Sequence, residues 1–206
     1  MNARRLHATG GVLFGVTFAV AYLWTVGGAV HGREVFIARA PSAVGAGVLL
    51  GVLALGVVLA LATARSELPG LEGHARLQRI ALVLASAFAV AHAALAWWPL
   101  ASGQDPVLAY HQLRSTLPYA LPAVASCLGL AFVALHLELS LHAFVDAFDL
   151  VRRPASRRWL RVGHALLAAG FFALAVNGLA VFVTGTPFVG GEEAPARLFP
   201  LEEGSP

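Results

Sequence analysis

The sequence predicts an all-α integral membrane protein, a bundle of five transmembrane helices with its amino terminus in the cytoplasm. Three observations lead to that class. Hydrophobic residues make up 58% of the chain and charged residues 12%, at a mean hydropathy of +0.75, the composition of a chain dissolved in lipid. Five apolar runs reach the length of about 20 residues that a helix needs to cross a hydrocarbon core, and they are too long for barrel strands. Ten arginines fall on one side of the resulting topology and four on the other, and arginines near span ends resist translocation.

The first span, 8–30, follows Arg4 and Arg5 and runs into small residues from Gly27 to Ala29. A cleavable signal peptide shares that layout, but its apolar region is only about 7–15 residues long; the longer run predicts a retained helix. The second span, 43–64, places Gly45, Gly47, Gly51 and Gly56 at helical spacing, which predicts close helix packing in lipid and not a phosphate cradle. The third, 80–99, carries His92 and ends at Trp97, Trp98 and Pro99. The fourth, 117–141, carries Cys127, His136 and Glu138, and the fifth, 162–184, is entered through His164. Residues 1–185 are thus expected to form the transmembrane domain, and 186–206, rich in proline, glycine and glutamate, an extended external tail. The connectors are too short for a soluble domain, so chemistry outside the membrane falls to partners. His31, His74 and His111 lie in connectors and are expected in water.

The orientation follows from the arginines. Arg4, Arg5, Arg65, Arg76, Arg79, Arg152, Arg153, Arg157, Arg158 and Arg161 share the predicted inner side. Arg33, Arg39, Arg114 and Arg197 fall outside, with Asp105 and the acidic tail. The net charge of +3 and pI near 9.7 express this asymmetry, together with attraction to anionic lipid or an acidic partner, and call for no nucleic acid. Cys127 is the only cysteine, which excludes an internal disulfide and an iron–sulfur cluster held by this chain alone. Neither a nucleotide loop nor a catalytic-triad pattern is present.

The polar residues inside the spans carry the functional signal, because an ionisable group in hydrocarbon is costly to place there. His92 lies roughly 10 Å inside the outer boundary, and Tyr22 on the first span roughly 12 Å, so the two share a level. His136 lies roughly 8 Å from the inner boundary, with Leu59 or Ala60 of the second span at similar depth. Each histidine is either a haem ligand or an interhelical hydrogen-bonding group. Glu138 is the one carboxylate in a predicted span, and His142, four residues on, shares its helical face while His136 points nearly the opposite way. A carboxylate and an imidazole stacked near the boundary can relay protons or hold a quinone carbonyl; the alternative is a snorkelling interfacial pair. His164 enters the fifth span at the same level, and His7 precedes the first.

In order, these landmarks resemble the five-helix cytochrome b membrane anchor of succinate dehydrogenases and fumarate reductases. Arg4-Arg5-Leu6-His7 with Gly11-Val12 resembles that family's entry to its first helix, and Gly32-Arg33-Glu34-Val35-Phe36 its exit. Leu77-Gln78-Arg79-Ile80 with His92 and Trp97 is similar to the start and body of its third helix. Leu135-His136-Leu137 with Leu141 resembles its fourth, and Pro154-Ala155-Ser156-Arg157-Arg158-Trp159 its basic loop before the fifth. The likeness covers nearly the whole chain.

The resemblance implies two haems b, each held by one ligand from each of two helices: first with third, second with fourth. Here the first-helix position carries Tyr22 and the second-helix position falls near Ala60, so only His92 and His136 match family ligand positions and their partners are missing. At most one haem is expected, most plausibly through His136 rewired to His164, or none. The resemblance also implies an iron–sulfur subunit docked on the inner face, a flavoprotein subunit beyond it, and a bacterial-type inner membrane. Flavin and iron–sulfur clusters belong to those partners. With no haem pair to carry electrons across, quinone is expected near the inner boundary, within reach of His7, Arg79, Glu138, His142 and His164, with Glu138 and His142 delivering protons. Two other classes compete: a proton-coupled small transporter or channel, and a stand-alone transmembrane haem b cytochrome.

Overall fold

The computed structural model describes residues 3–64 and 72–190. It is helical, with no strand among the described residues: α1 (Ala3–Thr25) followed by a 3-10 turn (Gly27–His31), α2 (Arg33–Arg39), α3 (Ala43–Ala64), α4 (Glu72–His92) followed by a π turn (Ala93–Trp97), α5 (Trp98–Ala101), α6 (Pro106–Thr116), α7 (Ala120–Ala147) and α8 (Pro154–Thr184). Five stretches are long and apolar enough to cross a membrane: Arg4–His31, Ala43–Ala62, Arg76–Ala101, Ala120–Ala147 and Pro154–Thr184.

Apolar run length places these spans but understates the length of the helices. At 28 and 31 residues, α7 and α8 are about 42 and 46 Å long, well beyond a hydrocarbon core of about 30 Å. The surplus lies at one end, past Leu141 on α7 and before Val162 on α8, where the two helices join in a hairpin. Arg157 clips its turn, pairing with Asp149 at 3.4 Å and donating to the Val151 carbonyl at 2.6 Å. His74, expected in a connector, lies within α4; His31 is exposed in the 3-10 turn and His111 on α6.

Two short helices at the opposite end were not expected. Gly32, at φ +104, breaks the chain direction before α2. Asp105 caps α6 by accepting from Val107 N at 2.7 Å, with Pro106 in the first turn where no amide is needed. The two meet through Phe36 and Tyr110, ring centroids 5.3 Å apart, with Phe182 of α8 against both. Arg114 of α6 donates to the Val181 and Phe182 carbonyls, binding α6 to the end of α8.

Inside the bundle α1 lies between α3 and α7, and α7 is flanked by α1, α4 and α8. The α1–α3 seam is close because of glycine. A Cβ on Gly56 would fall 2.9 Å from Phe14 N, and one on Gly10 2.8 Å from Leu59 Cβ. Lipid tails are as apolar as the helices, so such close approach supplies dispersion contact that burial from water cannot. The other predicted packing glycines differ: Gly45 meets only Ser42 and Pro41 just ahead of it in the chain, and Gly47 and Gly51 face open space on the outer side of α3.

The π turn has a local cause. Pro99 has no amide hydrogen and its ring crowds the carbonyl four residues back, so the helix widens before it. Trp97 is thereby buried, its Nε1 donating to Thr25 Oγ1 at 3.5 Å, while Trp98 faces outward. With Trp24 and Tyr119, exposed Trp98 forms an aromatic belt at this end, and Trp159 stands exposed at the other.

The ends of the bundle differ in charge. Arg5 Nε donates to the Ala147 carbonyl at 3.2 Å, placing the start of α1 beside the end of α7. The described inner-side arginines therefore gather at one end of the bundle, and Arg33, Arg39 and Arg114 at the other. Arg65, Arg197 and the tail beyond residue 190 lie outside the described residues. The described start of that tail folds back: Asn177 donates to the Val189 carbonyl at 2.7 Å and accepts from Val189 N at 2.9 Å.

Candidate functional site

His92 is held by aromatic rings. Tyr22 lies 4.9 Å away between ring centroids, Trp97 5.1 Å, Phe88 5.8 Å and Phe18 5.9 Å. The shared level expected of His92 and Tyr22 is thus a direct ring contact. His92 Nε2 is buried without a hydrogen-bond partner. These rings leave no gap between His92 and Tyr22 into which a porphyrin and its iron could enter.

His136 meets α1 and not α3. Its ring packs on Phe14 at 5.4 Å, its Nε2 lies 3.1 Å from Ser140 Oγ on the side that faces Gly11, and its Nδ1 is buried without a hydrogen-bond partner. Gly11 makes this possible, because a Cβ there would sit 2.6 Å from Ser140 Oγ. The side chain opposite the second-helix position is His7, whose Nδ1–H donates to the Ala60 carbonyl at 3.0 Å. His7 is therefore inside α1 and buried, not ahead of it, and α1 separates Ala60 from the face of α7 that carries His136. The residues at both family ligand positions do not fit a haem: the rings beside them fill the space.

A cleft of about 450 Å³ opens at the arginine-rich end, over α7 and between α4 and α8. Three of the five residues expected around quinone line it: Glu138, His142 and His164. His7 and Arg79 do not; Arg79 instead lies within electrostatic reach of His7. The predicted Glu138–His142 stack exists, but its bond is to the backbone: His142 Nδ1–H donates to the Glu138 carbonyl at 3.0 Å, leaving the carboxylate to the cleft. His164 stands edge-on to His142, ring centroids 4.9 Å apart and Nδ1 atoms 3.4 Å apart. His164 thus pairs with His142, on the face of α7 away from His136, which rules out the His136–His164 arrangement.

The cleft has residues that helical spacing alone did not single out. Gln78 of α4 lines it with a buried Nε2 that has no partner, and Arg157 and Arg161 of α8 stand at its rim. Asp146 lies 4.0 Å from Arg157 and completes that side. Leu139, Ala143 and Leu160 supply apolar wall. Among the described residues no group of three or more histidine, cysteine, aspartate or glutamate side chains converges as a metal site.

Fold and site together define a multi-pass helical membrane protein with one polar cleft at its arginine-rich end. Set against known protein families, curated proteins and solved structures, the chain matches none.

Proposed function

We propose that the chain is the membrane anchor and quinone-binding subunit of a succinate:quinone oxidoreductase, sitting in a bacterial-type inner membrane with its arginine-rich end in the cytoplasm. The observation that carries this reading is the cleft: two carboxylates, Glu138 and Asp146, and two imidazoles, His142 and His164, gathered between three spanning helices at the end where arginines accumulate. Such a cluster is out of place in a purely structural bundle. It suits a lipophilic acceptor that enters from the bilayer and takes its protons from water. An iron–sulfur subunit with an acidic face docks against the arginines, with a flavoprotein subunit beyond it. Two electrons from that subunit and two protons from the cytoplasm convert quinone to quinol, and Glu138 and His142 pass the protons inward.

The packed interior supports electron delivery at the same end as the cleft. The space around His92 and His136 is filled by Phe14, Phe18, Tyr22 and Trp97, so no step runs through a haem. The same aromatic filling weighs against an ion path past His92. Replacing Glu138 with Gln is expected to slow quinone reduction by about 100-fold or more, the scale of losing one proton-transfer group. Succinate oxidation by an artificial acceptor should remain unchanged in the same preparation. An undiminished quinone rate contradicts the assignment.

A further inference from the structure

The cleft continues into the bilayer as an apolar groove. α4 and α8 both pack on α7 and scarcely meet each other, so the face of α7 between them is uncovered. Leu121, Val124, Leu128, Ala131, Leu135 and Leu139 follow one another along that face at steps of three and four residues. Leu121 is 81% exposed, and Val124 and Leu128 are 56% exposed each. Leu139, at the other end of the row, lines the cleft.

At the mouth of this groove the charges do not balance. Asp146 and Asp149 are the acidic groups of the α7–α8 turn; Arg157 pairs with both, and Arg152 also holds Asp149. Arg153, Arg158 and Arg161 stay exposed with no acidic partner among the described residues. Arg161 lines the cleft, and Arg158, three positions earlier, is its neighbour on the helix surface. Trp159 beside them is 74% exposed, just before the predicted start of the span at Val162, where an indole meets lipid headgroups. Glu138 does not cancel this charge. His142 and His164 face each other at one level; Glu138 lies four residues from it toward the bilayer centre and Arg161 three residues toward water, so about 10 Å of helix separates the two.

Unpaired guanidinium groups at headgroup level, joined to an apolar groove, match an amphiphile with a negatively charged head. We infer that this mouth holds an anionic glycerophospholipid, its phosphate bound by Arg158 and Arg161 and one acyl chain laid in the α7 groove. Guanidinium forks suit phosphate oxygens, and basic recesses between membrane helices bind lipid headgroups. The phosphate sits at the rim and leaves the Glu138 side of the cleft to another ligand, so the inference stands whether or not that ligand is a quinone.

The test is lipid uptake by the full-length chain purified in detergent, followed by native mass spectrometry as phosphatidylglycerol is added. Wild type should take up one phosphatidylglycerol at concentrations about tenfold or more below those needed for phosphatidylcholine with the same chains. Arg161→Gln should weaken phosphatidylglycerol binding about fivefold, and Arg158→Gln combined with it about 25-fold, the scale of one and two such contacts. All three unpaired arginines are exposed, so these variants keep the packed interior intact. Arg153→Gln removes the same charge away from the cleft, where salt screens it, and should change binding by less than about twofold. Equal losses in Arg153→Gln and Arg161→Gln would show diffuse attraction to the charged end and overturn the inference. Phosphatidylcholine binding as tightly as phosphatidylglycerol would overturn it too. Inorganic phosphate displacing the lipid at comparable concentration would mark a free-anion site and likewise contradict it. None of these failures touches the quinone reading, which the Glu138→Gln rate tests separately.

Discussion

His92 and His136 show how differently two imidazoles can be accommodated in hydrocarbon. His136 finds Ser140 one turn along its own helix, beside a glycine that leaves room for both. His92 finds only rings, and its Nε2 is an orphan. An unsatisfied buried nitrogen costs about 1–3 kcal/mol, so exchanging it for carbon of the same shape is neutral or favourable. His92→Phe is therefore expected to leave the thermal midpoint unchanged or raise it, and to leave reduced-minus-oxidised absorption of the complex as in wild type. A fall in midpoint together with a lost absorption band would show that Nε2 holds a ligand. The depth of these residues was legible in the sequence, and it brought His92 and Tyr22 to one level. Their direction around the helix was not, because depth follows from counting residues while azimuth depends on which helix lies beside which. Counting alone therefore sets His136 opposite Ala60, although α1 stands between, and points to Arg79, although its neighbour Gln78 lines the cleft.

Among the elements, α7 is the axis of the bundle, touching α1, α4 and α8. Its seam with α4 depends on Gly129, where a Cβ would fall 2.1 Å from Phe88 Cγ. Gly129→Val is expected to force the helices apart and destabilise the protein by about 1–3 kcal/mol, the usual cost of overpacking. Gly47→Val, which adds a side chain into open space on α3, should be close to neutral. Thermal unfolding of both variants in the same detergent checks this pair; equal effects would contradict the packing described here. The spans themselves were readable, since apolar length suffices to find them. The short helices α2 and α6 were not, although the Asp105-Pro106 cap that starts α6 was present as a signal. Their apolar contacts, Phe36 with Tyr110 and Phe182, join segments too far apart in sequence for any local pattern to pair them.

For the whole molecule, charge asymmetry organises everything else. Arginines set one end apart, the overlong α7 and α8 join there, and the cleft lined by Glu138, Asp146, His142 and His164 opens at the same end. The arginine count was plain in the sequence, but the cleft was legible only in part. Glu138 and His142 share a helical face by spacing alone, whereas His164 and Gln78 join them through the crossing of three helices. In the proposed role, dicarboxylate chemistry falls to subunits bound at the arginine-rich end. The most direct measurement is the composition of the native assembly extracted gently from its membrane through a tag on this chain. The account predicts a flavin-bearing protein and an iron–sulfur protein recovered with it in equal amounts, oxidising succinate with quinone as acceptor. Recovery of this chain in lipid without a flavin-bearing companion would contradict it.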